Sequence, residues 1–365
     1  MDDAEQREKE VRLRAMMQRQ GLDAVLLGRS ANVAWLSGGG RSYINIATDS
    51  GVGSLLVTPH GRYLMTDVIE AERLHDEEGF GEGGWEVIAE PWYEPRMRLD
   101  DLTKGLKVGT DAAGTAFADV SGEVAQLRWT LTPAEVERFR ALGADAGAAI
   151  GEAASRVRPG MAEYEIAGLL ADAAYRHNAV PIVTLVSTDE RTLLRRHPLP
   201  TERRMEGVAM LVLCARRHGL VASATRMVHS GHVPSELRNA LRAVATVDAE
   251  TVLATRPGAK ANDIFAHLQA AYERVGYPGE WQRHHQGGLA GYEAREYVAT
   301  PYTEYVVESP QAFAWNPSVP GAKSEDTFLM SDKEPELLTA SPGWPQQTVA
   351  VNGVMMERPD ILQID

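Results

Sequence analysis

The sequence predicts a two-part α/β (α+β) chain: a small α/β domain over residues 1–130, then a larger domain over 131–365 with antiparallel sheet flanked by helices. Three observations carry this. The first third alternates short apolar runs with helical stretches. A long polar helix from about Pro133 to Val157 follows and is ended by Pro159-Gly160, which puts the boundary near Thr130. Beyond it, long strand-like runs adjoin glycines and turns, as hairpins do.

In the first domain a helix running to about Arg19 carries Val11, Leu13, Met16 and Met17 on one side and stops at Gly21. Leu22–Leu27 reads as a buried strand and Asn32–Leu36 as a short helix closing in Ser37-Gly38-Gly39-Gly40. Strands are expected at Ser54–Thr58, Tyr63–Met65, Trp85–Ala89 and Lys107–Gly109, with helical stretches near Val68–His75 and Ser121–Leu127. In the second domain, helices are expected at Ala162–Arg176, Ser235–Thr255 and Ala261–Val275. Its strands are expected at Gly207–Arg216, Leu220–Val228, Gly291–Thr300, Tyr302–Glu308, Ala312–Trp315 and Thr327–Met330.

With 37 Lys+Arg against 51 Asp+Glu, the 365 residues carry a formal net charge of −14. That argues against nucleic acid or an anionic membrane as partner. Cys214 is the single cysteine, so no intrachain disulfide and no Cys-rich zinc site can form. The first residues are acidic, and the longest apolar run, near Val208–Ala215, is far too short to span a bilayer. A cytoplasmic protein is the expectation.

The chain has no Gly-x-Ser-x-Gly, His-Glu-x-x-His or Gly-x-x-x-x-Gly-Lys motif. Its chemistry is concentrated in three places. The first is His284-His285-Gln286-Gly287-Gly288 with Tyr292-Glu293-Ala294-Arg295-Glu296, where polar groups beside glycines suit either close approach to a ligand or a hydrogen-bonded hairpin. Strand alternation would let only one of His284 and His285 face a given cleft. The second is Asp189-Glu190-Arg191 with Arg195-Arg196-His197-Pro198. The third is Trp315-Asn316-Pro317, followed by Lys323-Ser324-Glu325-Asp326-Thr327.

The order of these segments resembles the creatinase/prolidase/aminopeptidase P family, whose catalytic domain has the pita-bread fold. Asn32-Val33-Ala34-Trp35-Leu36-Ser37-Gly38 is similar to the Asn-hydrophobic-x-Tyr-Leu-Thr-Gly signature of its N-terminal domain. The family's metallopeptidases hold two metal ions with Asp, Asp, His, Glu and Glu. The second aspartate opens an Asp-x-Thr-Arg motif, which here reads Ser223-Ala224-Thr225-Arg226, and the first lies eleven residues earlier, at Val212. The histidine of His-x-x-Gly-His-Gly-x-Gly falls on Gly288, and the glutamate before proline on Asn316. Only the last ligand is kept, as Glu325. Valine and glycine offer no side-chain donor, and serine and asparagine offer weak neutral ones, so the resemblance implies a site without the dinuclear centre.

The family's outer histidines are matched by His197 and His284, and a third falls on Arg295. The expectation is a metal-independent enzyme, with no metal and no cofactor, hydrolysing a C–N bond in a small carboxylate-bearing substrate or short peptide, as creatinase does. His284, Glu325 and His197 are the candidate catalytic residues; Arg295, His285, Tyr292, Trp315 and Arg226 are the candidate substrate-binding ones. Alternatives are a lyase or isomerase, a binding protein using the former pocket, a rearranged zinc site of His197, His284 and Glu325, and a metal-dependent Xaa-Pro peptidase. The resemblance also implies a homodimer.

Overall fold

The computed structural model describes residues 3–94, 97–112 and 114–365. Two compact units form, Met1–Ala134 with His218–Leu220, and Glu135–Arg217 with Val221–Asp365. Among the described residues, no helix is long and apolar enough to cross a membrane.

The first unit contains α1 (Asp3–Gln20), β1 (Ala24–Arg29), α2 (Ser30–Ser37), β2 (Ser50–Val57), β3 (Arg62–Asp67), α3 (Ala71–Asp76), β4 (Glu86–Glu90), α4 (Met97–Thr103), β5 (Val108–Thr110), β6 (Ala118–Asp119) and α5 (Ser121–Leu127). Its strands make a mixed sheet in the order β4-β3-β2-β1-β5-β6. β1 runs antiparallel to β2 and parallel to β5, with Val25 opposite both Val57 and Gly109. A strand in that central place is covered on both faces, which is why Ala24–Leu27 is apolar without alternation. Asp111, just past β5, accepts the N–H groups of Gly28 and Arg29 and the amide of Asn32 at 2.6, 3.1 and 2.7 Å. One carboxylate therefore fixes the turn from β1 into α2, and Asn32 of the signature segment serves that turn.

The second unit contains α6 (Pro133–Ser155), α7 (Glu163–Arg176), β7 (Val180–Thr188), α8 (Glu190–Leu194), β8 (Val208–Arg217), β9 (Leu220–Ser230), α9 (Ser235–Ala254) and α10 (Ala261–Arg274). After a 3₁₀ turn at Glu280–Arg283 come β10 (Gly287–Ala290), β11 (Tyr297–Val298), β12 (Gln311–Trp315), β13 (Ser318–Val319), β14 (Ala322–Lys323), β15 (Asp326–Met330), β16 (Glu336–Leu337), β17 (Gln346–Val351), β18 (Val354–Pro359) and β19 (Leu362–Ile364). The two larger sheets run β19-β9-β8-β7 and β11-β10-β12-β15-β16. Leu185, Met210 and Val212 of the first pack with Leu241 and Val244 of α9 and Leu268 of α10. The sheets are tied where β9 meets β15. Thr327 Oγ1 accepts from Ser223 N (2.8 Å) and donates to Ser223 O (3.1 Å), and Thr225 N donates to Glu325 O (3.0 Å).

Three departures from the sequence reading have local causes. β7 is a strand despite Pro181 because it lies at the sheet edge and its register slips between Pro181 and Val183, where a missing N–H costs little. β17 and β18 form a hairpin across Asn352-Gly353, both at positive φ (49° and 83°), as a type I′ turn requires. Tyr302–Glu308 is not a strand. Its backbone bonds the segment ahead of α10 instead, with Ala261 N donating to Tyr305 O and Val307 N to Ala259 O.

Beneath β9 and β15 lies a buried ion network. Arg226 donates to Asp326 Oδ1 (3.0 Å), Thr339 O (2.7 Å), Thr225 O (2.8 Å) and Ser341 Oγ (2.9 Å). Asp326 Oδ2 lies 3.0 Å from Arg358, which also pairs with Asp248, and Ser324 Oγ donates to Asp248 at 2.5 Å. Breaking one member of such a set leaves its partners charged and unpaired. Asp326→Ala should therefore lower stability by about 3–5 kcal/mol, read from the urea midpoint.

Candidate functional site

Glu325 is the centre of the site. It immediately precedes β15, its side chain is 2% exposed, and both its oxygens are taken. Arg295 Nη2 donates to Oε1 at 2.9 Å, while Lys323 Nζ and Thr225 Oγ1 each meet Oε2 at 2.7 Å. Burial alone would raise this carboxyl, but Lys323 and Arg295 overcome it and hold the group down to about 2. Arg295 is delivered by the tight loop between β10 and β11, where Glu296 Oε1 accepts Tyr292 N (2.8 Å) and Glu296 N donates to Leu289 O (2.7 Å). Its Nη1 also donates to Ala294 O (2.6 Å) and Ser223 Oγ (3.3 Å), while the buried Nε has no partner among the described residues.

Three histidines form the second part. His284 Nε2 and His197 Nε2 face each other at 3.0 Å, and His284 Nδ1 lies 3.3 Å from Ser318 Oγ. His285 joins them: its ring centroid is 4.6 Å from that of His284 and 5.4 Å from that of His197. Ser318 sits opposite Lys323 across the β13–β14 hairpin, so the histidine and carboxylate clusters share one support. Burial, then Lys323 and the other two histidines, hold His284 down to about 2, with Glu325 opposing. Burial and Arg295 hold His285 to about 4, and burial and Lys323 lower His197. At neutral pH the three imidazoles are uncharged beside two fixed cations and one fixed anion.

The structure thus brings together His197, His284, His285, Arg295 and Glu325. The alternation argument for His284 and His285 does not hold, because both precede β10 in irregular backbone and both rings converge. Three other candidate residues point elsewhere. Arg226 is wholly engaged in the buried network, so substrate binding by it is corrected to a structural role. Trp315 is fully buried, stacked on Phe313 and donating to Thr255 Oγ1 at 3.0 Å, which makes it core and not a pocket wall. Tyr292 is buried and donates to Glu135 at 2.6 Å. The sequence reading missed Lys323 and Thr225 as site residues. The signal was there in the two-residue spacing of 323/325 and 223/225, which in extended chain puts like-numbered neighbours on one face.

The sequence model of the creatinase/prolidase N-terminal domain matches residues 11–141, and that of metallopeptidase family M24 matches residues 137–332. This chain belongs to metallopeptidase family M24. Comparison with curated protein sequences gives no match. Among solved structures, the M24 chain is similar to a prolidase from Pyrococcus horikoshii OT3 (TM-score 0.78, 20% identity, 92% of this chain and 98% of that one). It is also similar to an Xaa-Pro dipeptidase from Bacillus anthracis (TM-score 0.76, 20% identity, 98% and 100%). A third likeness is to the N-terminal domain of the FACT complex subunit SPT16 from chickpea, Cicer arietinum (TM-score 0.69, 12% identity, 93% and 97%).

The residues present do not fit the two-metal centre that the M24 family implies. Val212 belongs to the apolar core between β8 and the helices. Ser223 spends its hydroxyl on Cys214 Sγ (3.3 Å) and receives Arg295, while Asn316 is buried with Oδ1 unpartnered among the described residues. At Gly288 a Cβ would lie 2.2 Å from Tyr297 O, so no side chain can stand where the family's histidine does. The one surviving carboxylate has both oxygens committed to cations. A zinc site using Glu325 with His197 and His284 is likewise set aside, since the third group beside those imidazoles is His285.

Two outcomes follow from this packing. Gly288→His should fail to restore binding of two Mn²⁺ ions and should cost about 3 kcal/mol or more through overpacking, read by metal content and denaturant midpoint. Because the folded value of Glu325 is lowered from 4.5 to about 2, its contribution to stability is complete above pH 4.5 and is lost as pH falls through 2. Acid unfolding over that window should be less steep in Glu325→Gln than in the parent, followed by circular dichroism.

Proposed function

We propose that this M24 chain is a hydrolase working without the two-metal centre, on a C–N bond in a small carboxylate-bearing molecule or short peptide. What carries the reading is charge: with Glu325 set between Arg295 and Lys323, one positive charge is left over beside three neutral imidazoles. Such a pocket attracts an anion. Arg295 is the clamp, with Nε as its uncommitted donor. Glu325, ionised and doubly paired, orients the two cations and is too weak a base to activate water.

Proton transfer falls to His284 with His197, whose facing Nε2 atoms share a proton. Lys323 is among the causes that depress both rings, and Arg295 among those that depress His197, so a bound carboxylate that offsets these cations raises the rings toward the range where transfer is efficient. The same groups suffice for a lyase or isomerase step.

A binding protein is the second reading. It is favoured by imidazoles tuned well below neutrality in the free site, and by the likeness to a domain from a subunit of the FACT complex.

The test is turnover by chelator-treated protein on small amides, ureas and guanidino acids bearing a carboxylate. Turnover should vanish in His284→Ala, and KM should rise about 10- to 100-fold in Arg295→Lys, the worth of a charge-assisted hydrogen bond. Carboxylate binding without any turnover would favour the second reading, and activity that depends on added Mn²⁺ would reject the proposal.

A further inference from the structure

We infer that His197, His284 and His285 form a site for a single Zn²⁺-class cation, distinct from the five positions of the family's dinuclear centre. One ring nitrogen from each histidine lies within 4.8 Å of the other two, and the rings converge from two separate segments of the chain. The closest pair, His284 Nε2 and His197 Nε2, is 3.0 Å apart. Tetrahedral Zn–N bonds of about 2.0–2.1 Å set their donors about 3.3–3.4 Å apart, so the pair is within a few tenths of an ångström of ligand spacing.

Orientation is already set for this. With His284 protonated on Nδ1, Ser318 Oγ at 3.3 Å is the acceptor for that N–H, and Nε2 keeps a lone pair toward the cluster. His197 and His285 are exposed, so an ion reaches them from solvent. Three imidazoles with no carboxylate oxygen select zinc and its transition-metal neighbours over Mg²⁺ or Ca²⁺. They leave a fourth position open.

The charged groups acting on the three rings are Lys323, Arg295 and Glu325. The two cations oppose a bare dication and the carboxylate supports it. The same cations favour an anion in the fourth position, hydroxide or a carboxylate, so the site takes the metal together with an anion. The inference stands apart from the hydrolysis proposed above. An ion held here would withdraw all three imidazoles from proton transfer and switch that reaction off.

Isothermal titration of Zn²⁺ into the chelator-treated full chain tests it, with Co²⁺ absorption as a report on geometry. One ion per chain and a tetrahedral Co²⁺ band are expected. His197→Ala and His285→Ala, both at exposed positions, should each weaken binding about 10-fold or more. The exposed His267→Ala on α10 should leave it unchanged. No binding, two ions per chain, or an affinity indifferent to His197→Ala and His285→Ala would overturn the assignment.

Discussion

The site depends on one buried carboxylate held between two fixed cations. Glu325 is out of water, where an isolated charge is untenable, and it stays ionised because Arg295 and Lys323 reach it from different segments at 2.9 and 2.7 Å. The loop after β10, the β13–β14 hairpin and β9 must all be in place for that balance. In a two-metal enzyme the positive charge arrives as ions. Here Arg295 and Lys323 bring positive charge to the carboxylate.

Behind this contact stands a second set of charges, separated from it by chain alternation. Ser324 and Asp326 turn one way, into Asp248, Arg226 and Arg358, while Glu325 between them turns the other way, into the pocket. Three adjacent polar residues thus serve two environments: one closed around Asp248, Arg226 and Arg358, the other holding Glu325 between Arg295 and Lys323. The closed one holds β15 against β9, and so fixes where Glu325 emerges.

Much of this was legible in the residues. The order of motifs gave the family, and its four missing ligand positions fall in an apolar core (Val212), a hydroxyl–thiol pair (Ser223), a backbone contact (Gly288) and a buried amide (Asn316). What could not be read was direction. Arg226 and Trp315 sit in motifs that border the pocket, but each points into the interior, a matter of which face of a strand is covered. His284 and His285 defeated the alternation rule because the rule presupposes a strand, and β10 begins only at Gly287. Lys323 was overlooked although its spacing from Glu325 was visible. A lysine beside an acidic pair looks like surface until the hairpin that buries it is known.

The packing at Gly287 and Gly288 sets how closely three strands approach. Their bare backbones sit against Ala314 O and Tyr297 O so closely that a Cβ at either would come to 2.2 Å. The neighbouring strands fill the volume that any side chain there would need. A side chain at either position could enter only by pushing β12 or β11 aside, so the two bare residues hold three strands at their spacing.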